Sequence, residues 1–64
     1  MHTYNITHNT HLIGTARGKR KAIDFIKTLL EWEGIKGTWY TVAGEIRFVY
    51  HRDNVEGRYT IQKG

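Results

Sequence analysis

Four cations fall within five consecutive residues, Arg17, Lys19, Arg20 and Lys21 around Gly18, and they lead straight into an apolar-periodic segment that starts at Ala22. Clustered Lys and Arg attract anions, and the free N–H groups of a helix start add donors aimed the same way. If the segment is helical, these cations crowd its positive end, and Glu31 and Glu33 crowd its negative end. Each misplaced exposed charge costs about 0.3–1 kcal/mol. Arg20 with Asp24 and Lys27 with Glu31 are i, i+4 pairs, worth only ~0.2–0.5 kcal/mol each. That pairing leaves Arg17, Lys19 and Lys21 as the free contact for a phosphate or a carboxylate.

A second constellation follows from alternation. On strands, Trp39, Thr41, Arg47, Val49, His51, Arg58 and Thr60 share one face. An open face carrying a tryptophan, a histidine and two arginines suits stacking of bases between cationic teeth. It equally suits a solvated sheet with ordinary cross-strand pairs. Trp32 lies at the rim of the helical apolar arc, where it packs as a lid on the core or, if it protrudes, anchors a protein partner.

Other patterns carry less. His8 and His11 have ligand-like spacing, but the chain has no cysteine and no acidic residue before Asp24, which argues against a four-ligand zinc site. No metal and no cofactor is expected. His51-Arg52-Asp53 spells the start of a kinase catalytic loop, yet the Asn that loop requires falls here on Arg58. His51, Glu45, Arg47 and Arg58 share a face and contain the acid, base and cations of a minimal ribonuclease. A helix followed by a three-stranded meander is similar in element order to the double-stranded-RNA-binding-like toxin nucleases. That family's Gly-Ser-His run falls here on Ala43-Gly44-Glu45, so the likeness supplies no catalytic histidine.

The elements that must position these groups can be read from periodicity. Residues 1–15 read as an N-terminal strand or hairpin, with Asn9-Thr10 as the turn. Residues 19–33 read as one amphipathic helix, with Ala22, Ile23, Phe25, Ile26, Leu29, Leu30 and Trp32 in one half-circle. Gly34 suits the left-handed stop, with Ile35 folding back on Leu30. Residues 38–62 change to a period of two and form a three-stranded meander. Tyr40, Val42, Ile46, Phe48, Tyr50, Tyr59 and Ile61 are expected to face the helix. Ala43-Gly44 is a tight reversal, and Asp53 to Gly57 a longer loop in which Gly57 takes positive φ. The parts assemble as an α+β fold. It is a two-layer sandwich of one amphipathic helix on an antiparallel sheet of four to five strands, in the order β(β)αβββ.

With 64 residues, ten Lys and Arg against six Asp and Glu, and no Cys or Pro, the chain reads as a single small domain. Serine is absent too, so serine and cysteine nucleophiles and disulfides are excluded. No secretory signal or membrane span is visible, and a cytoplasmic location is expected. The net charge of +4 is uneven. Residues 1–16 carry none, 17–21 carry +4, 22–35 carry −2 and the rest +2. The expected function is non-enzymatic binding of nucleic acid, through Arg17, Lys19, Arg20 and Lys21 and through Trp39, Arg47, His51 and Arg58. The alternative is a small inhibitor or adaptor, of the size of phage proteins that disable a host enzyme. It would bind an acidic protein surface with Trp32 or Trp39 as anchor. A minimal nuclease ranks third. A homodimer is compatible with the small core and an exposed strand edge.

Overall fold

The computed structural model describes residues 2–64; Met1, the first residue of the expected N-terminal segment, lies outside them. The elements run β1 (Thr3–His8), β2 (His11–Arg17), α1 (Lys19–Glu33), β3 (Gly37–Val42), β4 (Glu45–Arg52) and β5 (Val55–Lys63). The fold is α+β as expected, and the N-terminal segment is a hairpin. All strand pairs are antiparallel in one sheet ordered β2-β1-β5-β4-β3. The N-terminal hairpin therefore docks on the meander through β1 and β5, where Ile6 faces Ile61.

Helix α1 has the expected bounds. Gly34 closes it at φ 68°; its N–H bonds to Glu31 O, and Ile35 N–H bonds to Leu30 O. Both bonds satisfy carbonyls that the helix end leaves open. Ala22, Ile26 and Leu30, spaced four apart, drop into the core against Ile6, Phe48, Tyr50, Tyr59 and Ile61. The helix backbone packs over β2, β1 and β5 and comes near neither β3 nor β4.

The face assignment of β3 is corrected. Trp39 pairs with Phe48, and Thr41 with Ile46, so these two lie on the helix side; Tyr40 and Val42 lie on the open side. Both alternations of Thr38 to Val42 are apolar, so hydropathy does not choose between them. The turn does. A two-residue reversal at Ala43-Gly44 sets Val42 opposite Glu45, and opposite residues share a face. Glu45 points away from the core because Ile46 points into it.

The β4–β5 connection is also tighter than expected. Asp53 and Asn54 both take left-handed φ, and Arg52 pairs directly with Val55. Gly57 is not a turn residue and does not have positive φ. It sits within β5, and the Tyr50 ring occupies the space that a Cβ there would need.

Candidate functional site

The open sheet face holds Arg47, Arg58 and His51 but not Trp39, so the expected stacking platform is not assembled. Trp39 instead meets Phe48 on the helix side, ring centroids 5.0 Å apart. The open-face charges are largely answered by neighbours. Arg47 Nη2 donates to Glu45 Oε1 at 2.7 Å, and Gln62 donates to the other Glu45 oxygen. The hydrogen bond from Arg47 holds the Glu45 carboxyl below its ordinary range, and the same contact raises Arg47. His51 lies 3.8 Å from Glu56, both largely exposed. Of Arg47, His51 and Arg58 on this face, only Arg58 has no carboxylate within 4.0 Å among the described residues. Glu45 and His51 stand six residues apart on β4, about 20 Å at ~3.3 Å per residue, so they do not form one acid–base pair. Among the described residues no three metal-ligating side chains come together.

The basic run is freer than its spacing implies. Arg17 ends β2 opposite Thr3, and Lys19, Arg20 and Lys21 form the first turn of α1, all exposed. Gly18 caps the helix at φ 105° with no side-chain bond, and Ala22 N–H makes the first turn bond, 3.2 Å to Gly18 O. The expected Arg20–Asp24 and Lys27–Glu31 pairs are not formed. Among the described residues none of the four cations of the run has a carboxylate within 4.0 Å. The rotamer entropy of two long exposed side chains offsets so weak an attraction.

The third surface is the flank of α1 above β2. Trp32 is not a lid on the core: it is 88% exposed. Lys21, Phe25, Thr28 and Trp32 follow the four-three-four spacing of one helical stripe. Phe25 leans over Gly14 of β2, where a Cβ would already touch its ring at 3.3 Å. Phe25 and Ile13 stay 38% and 39% exposed, and with Leu29 they wall a cleft of ≈ 430 Å³. The cleft floor is aromatic. His8 stacks on Tyr59 at 4.3 Å and 7°, and its Nε2 lies 2.6 Å from the Tyr50 hydroxyl. Burial raises the Tyr59 hydroxyl above its ordinary value. Glu33 and Arg52 close the rim with an exposed pair at 3.4 Å.

The sequence suggests His8 only as a metal-ligand candidate with His11 and does not by itself reveal this cleft. The available signal was parity: His8 follows Tyr4 and Ile6 on alternate positions, so it shares their inward face. Comparison with protein-family models, curated proteins and solved structures returned no match.

Proposed function

We propose that the protein is a small non-enzymatic docking protein, an inhibitor or adaptor, that binds a partner protein through the α1 flank. The observation that carries this reading is Trp32, a large apolar side chain left almost fully in water two helical turns beyond Phe25 on the same stripe of α1. Tryptophan is the residue type most enriched at the energetic centres of protein interfaces. A partner suited to this surface offers an apolar side chain to the cleft and carboxylates toward Lys21, Lys19 and Arg17. Charge complementarity of that kind speeds association and fixes orientation.

Affinity capture with the tagged chain tests the reading. One stoichiometric protein partner is expected from a suitable cell extract, and Trp32→Ala is expected to lose it. Truncation of a hot-spot residue costs about 2 kcal/mol or more, roughly 30-fold in affinity. Full capture by Trp32→Ala, or recovery of nucleic acid alone, refutes it.

A second reading rests on the four cations without carboxylate partners. Nucleic-acid binding through Arg17, Lys19, Arg20 and Lys21 requires affinity for a labelled duplex or single strand that drops steeply with salt. The open sheet face supports it less, because Trp39 has left that face and Glu45 neutralises Arg47.

A further inference from the structure

The sequence treats the two sheet edges differently. The β2 edge is blunted. Its register on β1 slips at Ile13, since Ile6 faces Gly14 while Thr7 faces Leu12. It ends on Arg17, and α1 lies over it. Bulges, charges and covering elements are the usual means of stopping strand addition. Among the described residues the β3 edge has none of them. All six residues of Gly37–Val42 pair with β4 in one unbroken register, and none is charged. On the helix side Trp39 and Phe48 have no backbone layer above them, only a groove of ≈ 580 Å³ that reaches across to Leu30.

We propose that the β3 edge pairs with β3 of a second copy, antiparallel, about a two-fold axis at Tyr40. A strand paired with itself in this way is self-complementary, so one uncharged edge serves both sides. The axis at Tyr40 sets Thr38 opposite Val42, and Trp39 opposite Thr41, of the other copy. Directly opposed residues share a face, so both helices lie on the same side, and the apolar strip of Trp39, Ile46 and Phe48 continues across the junction. A shift by one residue would set the polar face of each copy flush with the apolar face of the other. The same register sets Lys36, the cation that precedes the strand, beside the uncharged Ala43-Gly44 turn of the second copy. A chain of net charge +4 pairs with itself here without opposing its cations. This proposal does not rest on the α1 flank.

Sedimentation from micromolar to millimolar concentration is expected to show a monomer–dimer equilibrium. Tyr40→Lys and Tyr40→Glu are each expected to abolish the dimer, and an equimolar mixture of the two to restore it. Tyr40→Cys supplies a check that leaves the edge uncharged. The chain has no other cysteine, and opposed Cα atoms in an antiparallel pair lie about 4.5–5.5 Å apart, within disulfide range. An oxidant is expected to convert Tyr40→Cys to a covalent dimer that reductant reverses. A chain monomeric at every concentration overturns the proposal. So does a dimer that survives Tyr40→Lys, a Tyr40→Cys variant that forms no disulfide, or a β3 edge that pairs only with a different protein.

Discussion

Gly57→Ala tests whether the Tyr50 ring is held where the structure puts it. The new methyl would stand inside the van der Waals envelope of Tyr50 Cζ and Oη. The strand itself does not forbid alanine, because Gly57 is absent from the positive-φ glycines. The ring must therefore swing away, although it is only 8% exposed. Moving it breaks the 2.6 Å bond to His8 and disturbs the contact with Tyr59 at 5.9 Å. A lost hydrogen bond costs about 0.5–1.5 kcal/mol, and a lost aromatic pair about the same. Restricting the unfolded chain returns about 0.4–1 kcal/mol. The expected net loss is about 1–2 kcal/mol, a fall in Tm of roughly 4–16 °C for a domain of this size. Urea unfolding followed by tryptophan fluorescence measures it. In a Tyr50→Leu background the obstacle is gone, and Gly57→Ala is expected to be neutral or slightly stabilising. An equal loss in both backgrounds would show that the ring is not what excludes the methyl.

The remaining predictions concern charge. Replacing Lys19 and Lys21 by Glu swaps cations for acids in the first turn of α1 and is expected to raise stability by about 0.3–1 kcal/mol per site, seen as a higher Tm; a lower Tm would mean that these cations serve the fold. Glu45 has a folded pKa below its unfolded value, so its contribution is present above the unfolded value and is lost as pH falls through the folded one. Stability is expected to decline on acidification through and below the usual glutamate range, and Glu45→Gln to flatten that limb. Tyr59 is shifted upward by burial, so its contribution is present below the ordinary tyrosine value and is lost as pH rises through the folded one. Tyr59→Phe is expected to shallow the alkaline limb of the unfolding curve.

Much of this architecture was legible because periodicity and punctuation agreed. The helix is bounded by Gly18 and Gly34, and its apolar positions recur at helical spacing. In β4 and β5 one alternation is apolar and the other polar, so hydropathy alone assigns the faces. In β3 both alternations are apolar, and only the geometry of the Ala43-Gly44 turn separates them. Gly57 misled for a related reason. Beside Asp53 and Asn54 it looks like turn chemistry, whereas its role is to make room for a ring seven positions earlier. Trp32 was ambiguous at the arc's edge, since helical angle alone does not say how far the sheet extends beneath it. Trp32 lies outside the buried stripe of Ala22, Ile26 and Leu30 and stays in water. The candidate cleft was least legible, because His8, Ile13, Phe25 and Tyr50 come from four elements whose adjacency depends on β1 pairing with β5.

That pairing also bears on how the chain folds. The three hairpins form from neighbours in sequence, through two-residue reversals at Asn9-Thr10, Ala43-Gly44 and Asp53-Asn54. The central strand, β5, is the last of the five in the chain, and its contact with β1 joins Tyr4 to Lys63. Closing so long a loop is an entropic cost met before any contact rewards it. Until the β4–β5 hairpin docks on β1, β1 and β5 each present an open edge, and the apolar faces around Ile6 and Ile61 lie bare. The most aggregation-prone moment in the life of this protein is thus the interval before its final strand docks.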